Sequence, residues 1–332
     1  MDEHDRLAIT MGDPAGVGPE IILKLFKDTP PANCVVYGDP DWLAQTARML
    51  GYELVIESLG SPNAPLSLQT LPVYRACDAV PSDLSLGHVS AIAGKVAYQC
   101  VKSAIDDALD GKVRGMVTAP LNKHAIHSAG FDFPGHTEIL SHRCGDIPVA
   151  MMLANDVIRV VLVTIHIPLS RVAQTISIEL ELQAMRLAFQ ACVALGVPNP
   201  RVAVAGLNPH AGESGKFGHE EQTMIEPAIK QARGLGIDAS GPWPGDTIFG
   251  RARQGEFDVV VAQYHDQGLI PVKYLGLDQG VNVTIGLPFV RTSVDHGTAF
   301  DIAGQGIASA ASLKQAVDMA RALIANRAQS GQ

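Results

Sequence analysis

Short apolar runs bounded by polar residues alternate along this chain with segments whose apolar positions recur at helical spacing. The runs predict strands at Arg6 to Met11, Val35 to Tyr37, Val113 to Thr118, Arg159 to Thr164, Arg201 to Leu207 and Asp258 to Ala262. Their unbroken valine-rich character is that of strands covered on both faces in a parallel sheet, which places the chain in the α/β class. Helical spacing predicts helices at Ile21 to Phe26, Trp42 to Leu50 and Ala91 to Leu109, the last ending just before Gly111. Ser58 to Leu71 reads as loop. Pro134 and Gly135 punctuate a loop that leads into a helix at Glu138 to His142, so His136 and Thr137 fall near a helix N-terminus suited to anions.

In open α/β sheets, ligands bind beyond the carboxyl ends of the strands. Three of the predicted strands deliver an imidazole there: His166, His210 and His265. Neutral imidazoles brought together with one open position make a catalytic divalent-metal site. Any one of them alone is more often a packed or hydrogen-bonded loop residue, and it is the repetition at three strand ends that favours a metal. Glu213, Asp246 and Asp266 are candidate carboxylates for orienting the rings, with solvated loop acids as the bland alternative. Lys273, Asn282 and Arg291 sit among apolar neighbours, which favours binding over surface placement. The loop GDPAGVGPE, Gly12 to Glu20, lacks the GxGxxG spacing; it is either a tight strand-to-helix turn or a close backbone approach to a cofactor or substrate.

At 332 residues the chain exceeds the size at which one core keeps growing, so two lobes with a cleft are expected. A net charge of −9 argues against a phosphate-backbone partner, and nucleic acid is set aside. The start MDEHDRLAIT lacks the order of a signal peptide, and the apolar stretch Val157 to Leu169 is short and interrupted by Arg159 and His166. A cytoplasmic protein without a membrane segment is expected. Five scattered cysteines without a CxxC suggest reduced, packed thiols.

The motifs MGDPAGVGPE, GHTE (Gly135 to Glu138), TIHIPL (Thr164 to Leu169), GLNPHAGE (Gly206 to Glu213), YHDQG (Tyr264 to Gly268) and GVNVTIGLPFVRTSVDHGTAFDIAG (Gly280 to Gly304) together resemble the 4-hydroxythreonine-4-phosphate dehydrogenase family. The resemblance implies the isocitrate/isopropylmalate dehydrogenase-like fold, two α/β/α lobes sharing a cleft, paired as a homodimer. It divides the chain into a discontinuous cofactor lobe, 1–128 and 272–332, and a central metal-binding and dimerisation lobe, 129–271. It makes His166, His210 and His265 the metal ligands, contributed from both subunits, and His136, Thr137, Lys273, Asn282 and Arg291 the substrate set. Lys273, Asp246 and Asp266 become the catalytic candidates. His296, Gly297, Ala299 and Asp301, with Gly12 and Gly16, become the cofactor set. Asp301 lies where an acid accepts the adenosine ribose hydroxyls and repels a 2′-phosphate, favouring NAD.

The implied reaction is NAD-dependent oxidation of a 4-phosphorylated 3-hydroxy acid to a 3-oxo acid that loses CO2. One divalent ion (zinc, cobalt, manganese or magnesium) assists both steps. The family's role lies in pyridoxine biosynthesis. Ala91 to Lys123 is similar to a sister branch in carbohydrate-acid catabolism that acts on D-threonate or D-erythronate 4-phosphate and gives dihydroxyacetone phosphate. An aromatic cis-dihydrodiol dehydrogenase ranks third, and a phosphate acetyltransferase, which needs no three-histidine site, ranks behind.

Overall fold

The valine-rich runs form strands and the periodic segments form helices, in a mixed α/β arrangement. The structure, a computed structural model, describes residues 6–275 and 280–330. In chain order the strands are β1 (Leu7–Thr10), β2 (Cys34–Gly38), β3 (Val55–Leu59), β4 (Thr70–Arg75), β5 (Gly115–Thr118), β6 (Ala150–Ala154), β7 (Arg159–Leu162), β8 (Arg201–Ala205), β9 (Asp238–Trp243), β10 (Val259–Ala262), β11 (Val281–Ile285) and β12 (Val290–Val294). The helices are α1 (Gly18–Asp28), α2 (Pro40–Met49), α3 (Ala91–Leu109), α4 (Lys123–Ser128), α5 (His136–Arg143), α6 (Val172–Thr175), α7 (Ile178–Ala194), α8 (Glu226–Gly234), α9 (Ile248–Arg253), α10 (His265–Leu275) and α11 (Ala311–Ser330).

Two compact units emerge, Met1–Ile147 with Leu287–Ile324, and Pro148–Gly286 with Ala325–Gln332. These bounds differ from the expected division at 128/129 and 271/272. Helices α4 and α5 pack on α3 and stay with the first unit, while β11 pairs antiparallel with β6 and stays with the second. In the first unit the strand order is β3-β4-β2-β1-β5-β12, all parallel. Every residue of β1, β2, β5 and β12 is buried, which is why their sequences show no polar alternation. Helix α3 spans the predicted residues, with Ser90 accepting the Ala93 N–H at its start.

In the second unit the order is β11-β6-β7-β10-β8-β9. Strand β10 lies between β7 and β8 and is parallel to both, with Val260 opposite Val160 on one side and Ala203 on the other. The three histidine-delivering strands are therefore neighbours in one sheet. Helix α10 packs back on this sheet so closely that a Cβ on Gly268 would lie 2.6 Å from Leu162 Cδ2 and 2.8 Å from Val160 Cγ1. Leu269 and Val272 of α10 join Leu162, Val260 and Phe249 in the core. All five cysteines are free, and among the described residues no helix is long and apolar enough to cross a membrane.

Polar groups tie the strand exits together inside this unit. Gln263 Nε2 donates to Ala205 O at 2.9 Å and to Glu181 Oε2 of α7 at 3.4 Å. The Gln263 N–H donates to Gln267 Oε1, and Gln267 Nε2 donates to Gly206 O, each at 2.7 Å. Thr164 Oγ1 donates to Gln263 O at 2.7 Å. Glu181 is 0% exposed, and burial pushes its carboxyl up to about 8 against the lowering effect of the Gln263 amide.

That shift has a testable sign. Between the ordinary glutamate value and about pH 8 the folded chain holds a proton that the unfolded chain has released, so this contribution to stability is present at low pH and is lost as pH rises through the window. Chemical denaturation of Glu181→Gln, which cannot ionise, should show a smaller decline in stability from about pH 5 to about pH 8 than the unsubstituted protein, by on the order of 1–3 kcal/mol. Parallel pH profiles would show that Glu181 ionises freely in the fold.

Candidate functional site

In the second unit, the β10 exit places His265 at the start of α10, and the segment after β7 carries His166. Their ring centroids are 5.9 Å apart. Two imidazoles sharing one ion at nitrogen–metal distances of about 2.0–2.1 Å have centroids roughly 5 Å apart, so this pair is spaced to hold a divalent cation with little adjustment. Asp266 Oδ1 lies 2.7 Å from His265 Nδ1. That contact makes Nδ1 the donor and leaves Nε2 with the lone pair a metal needs, the pairing that orients metal-binding histidines generally.

His210 occupies a different setting. It is exposed on the loop after β8, where His210, Ala211, Gly212, Glu213 and Ser214 all have positive φ, and its ring faces Phe217 at 6.5 Å. Among the described residues, no three His, Cys, Asp or Glu side chains group as a metal site within one chain. The structure of one chain pairs His166 with His265 and carries His210 on the left-handed loop. His210, Asn208, Asp246, Tyr264, Asp266 and Gln267 line a cavity of about 530 Å³. Asp246 and Glu213 are exposed. Lys273 is half-buried near the far end of α10. Asn282 on β11 donates its amide to Met151 Sδ at 3.1 Å, while its Oδ1 is buried without a hydrogen-bond partner.

In the first unit, β12 holds Arg291 at 2% exposure, with Nη2 donating to Thr118 Oγ1 of β5 at 2.6 Å. Thr118 in turn donates to Ser293 Oγ at 3.0 Å. Burial draws the guanidinium below its ordinary value, with the nearby Glu138 charge opposing. His136 begins α5, whose N-cap Gly135 supplies no capping side chain. Its Nε2 is shut off from solvent without a hydrogen-bond partner. Burial holds this imidazole well below the usual histidine range, helped by the charges of Arg291 and Lys123. Thr137 follows in the first turn of the helix. Arg291 and Lys123 thus make a cationic cluster around the neutral His136 at a helix N-terminus, an arrangement suited to an anion such as a phosphate. Lys123 was not singled out in the sequence, although it stands just beyond the carboxyl end of β5.

The loop Gly12 to Glu20 serves a second loop of the same unit. Gly12 has φ +73°, and Val17 N–H donates to Thr298 O at 3.0 Å. A Cβ on Gly16 would come within 2.8 Å of that carbonyl. Gly16 therefore lies against the segment His296, Gly297, Thr298, Ala299, while a Cβ on Gly12 would meet Pro120 O at 2.4 Å. Ala299 takes φ +43°, and His296, Gly297 and Asp301 are exposed. Asp301 O accepts from Gln305 Nε2 at 2.8 Å, leaving the Asp301 carboxyl outside that contact.

The sequence model of the pyridoxal phosphate biosynthetic protein PdxA matches residues 31–320. The chain is 52% identical to the 4-hydroxythreonine-4-phosphate dehydrogenase of Beijerinckia indica over 96% of its own length and 94% of that protein's. It is 44% identical to the D-threonate 4-phosphate dehydrogenase of Cupriavidus necator, covering 97% and 98%. Its fold superposes on the crystal structure of 4-hydroxythreonine-4-phosphate dehydrogenase from Klebsiella pneumoniae with a TM-score of 0.88 at 40% identity, covering 96% and 99%.

Burial, helped by the charges of Arg291 and Lys123, makes His136 a neutral hydrogen-bonding group rather than a charge. Its ring resonances, assigned by His136→Gln, should keep their neutral-form positions from about pH 8 down to about pH 6. Titration of that ring near its ordinary value would show the cluster to be open and solvated.

Proposed function

The chain belongs to the PdxA family of pyridoxal phosphate biosynthetic proteins, and from that premise we propose that it is an NAD-dependent dehydrogenase of a four-carbon, 4-phosphorylated 3-hydroxy acid of the 4-phosphooxy-L-threonine type. The observation that carries the reading is the pair His166 and His265, backed by Asp266, at the exits of neighbouring parallel strands. A second reading, the same chemistry on D-threonate or D-erythronate 4-phosphate, is favoured by the 44% identity to a D-threonate 4-phosphate dehydrogenase over nearly the whole chain. The finer reading of the fold is the isocitrate/isopropylmalate dehydrogenase-like architecture, two α/β/α lobes with a cleft. The protein is read as a cytoplasmic homodimer.

In this proposal His166, His210 and His265 hold one divalent ion, with the set completed across the dimer. When bound, such an ion supplies Lewis-acid polarisation to the oxygen at C3 of the substrate. Asp266 keeps the His265 lone pair turned outward. Arg291 grips the phosphate with its planar fork, His136 Nε2 and Thr137 add hydrogen bonds, and Lys273 and Asn282 complete the substrate set. Lys273, Asp246 and Asp266 are the groups proposed to take and return protons. Bound NAD would supply the hydride acceptor for C3, while one of these groups takes the hydroxyl proton; the 3-oxo acid so formed would lose CO2. The second reading ends in dihydroxyacetone phosphate. The segment His296, Gly297, Ala299, Asp301 receives the adenosine end of NAD.

Two measurements test this. Purified protein should form NADH from 4-phosphooxy-L-threonine, or from D-threonate or D-erythronate 4-phosphate, and a chelator should stop it; Arg291→Lys should raise KM for the phosphorylated acid by about tenfold or more while NAD binding persists. NADH formation undiminished by chelation, or an unchanged KM, would place the metal or the phosphate elsewhere. Separately, Asp301→Lys should lower kcat/KM for NAD and raise the NADP to NAD ratio. Equal losses with both cofactors would leave Asp301 a loop-shaping residue only.

A further inference from the structure

The loop that carries His210 is conformationally improbable by sequence alone. Four of its six consecutive positive-φ residues, His210, Ala211, Glu213 and Ser214, are not glycine. Left-handed backbone costs an ordinary residue on the order of 1 kcal/mol, so a run of four persists only where something outside the run over-determines it. The segment that leads into the run is held from outside it. Glu221, 2% exposed, projects into the base of the loop from a π-helical turn, Glu221–Ile225, that precedes α8. Its Oε1 accepts the N–H of Leu207 at 2.9 Å and that of Asn208 at 2.7 Å, and its Oε2 accepts from Asn208 Nδ2 at 3.0 Å.

The loop has grown around this carboxyl. A Cβ on Gly212 would stand 2.6 Å from Glu221 Oε2, and Gly212 has φ +79°. A Cβ on Gly206 would stand 3.3 Å from Oε1. Glu220 fastens the other side of Asn208, its Oε2 accepting from Nδ2 at 2.7 Å. Single-turn π-helices occur mainly at functional sites, where they re-aim a side chain that an α-helix would turn away.

We propose that Glu221 is a positioning residue for the metal centre: by holding the two backbone N–H groups that lead into the left-handed loop, it sets where His210 stands. The inference rests on the reading of His210 as a metal ligand. Removing the acceptor would leave two partly buried N–H groups without partners and release the loop. Glu221→Gln keeps an amide oxygen where Oε1 stands and so preserves both backbone contacts, while Asn208 Nδ2 keeps its bond to Glu220, which makes glutamine the conservative replacement.

The test uses the full-length protein stripped of metal and titrated with cobalt(II), followed by its ligand-field absorbance, so that affinity is read without turnover. Loss of supporting partners behind a metal ligand typically weakens binding by about 10–100-fold, and that is the loss expected for Glu221→Leu, with Glu221→Gln remaining close to the unsubstituted protein. Saturating metal should then restore most of kcat in Glu221→Leu. Gly212→Ala attacks the same contact from the loop side and should weaken binding in the same direction. His210→Ala is the control. If it binds cobalt normally, the reading of His210 as a ligand fails and this inference with it. If it loses cobalt while folded Glu221→Leu and Gly212→Ala do not, the ligand reading stands and only the positioning role is overturned. Loss of the fold in both variants, seen as loss of native circular dichroism with and without metal, would make Glu221 a purely structural residue and overturn the inference as well.

Discussion

The pairing of β10 with both β7 and β8 is the constraint on which the second unit depends. Val260 is opposite Val160 on one side and Ala203 on the other, so three strands leave one sheet edge in fixed relative positions. A one-residue slip would displace an exit by about 3.3 Å and reverse the faces of its side chains. The position of His166 relative to His265 is therefore a consequence of strand register before it is a property of either loop. Burial on both faces enforces the register, because a slipped strand would present the wrong side chains to the helix layer on either side.

Register alone does not aim a side chain, and the chain uses buried polar contacts for that second task. Gln263 and Gln267 join the exits of β10 and β8 through Ala205 O and Gly206 O, and Thr164 joins the exit of β7 to Gln263 O. Glu181 closes the inner end of this network, where burial keeps its carboxyl protonated at neutral pH. The first unit repeats the device with other residues: Arg291, Thr118 and Ser293 link β12 and β5 where the cationic cluster stands. An unmatched polar group in such surroundings costs about 1–3 kcal/mol, so each contact holds its loop to a narrow set of positions.

The sequence by itself determined strands β1, β2, β5, β7, β8 and β10, and the histidines that follow the last three. Continuous burial leaves a continuous apolar run, and a polar residue soon after it marks the exit; both are local signals, legible at Val259–Ala262 followed by His265, whereas Arg291 was legible only as a polar residue among apolar neighbours. The six motifs between Gly12 and Gly304 carried the family resemblance, which the match over residues 31–320 bears out. What the sequence did not show was decided by partners distant along the chain. Strand β3, read as loop beyond Ser58, is ordered by pairing with β4. The unit boundaries follow from α5 packing on α3 and from the antiparallel pairing of β11 with β6, neither of which leaves a local mark. The turn at Gly16 acquires its purpose from the Thr298 carbonyl. His210 stands on a left-handed run of ordinary residues, with Glu221 holding the backbone that leads into it from 14 residues away. Propensity predicts against that run, and only tertiary hydrogen bonding makes it favourable.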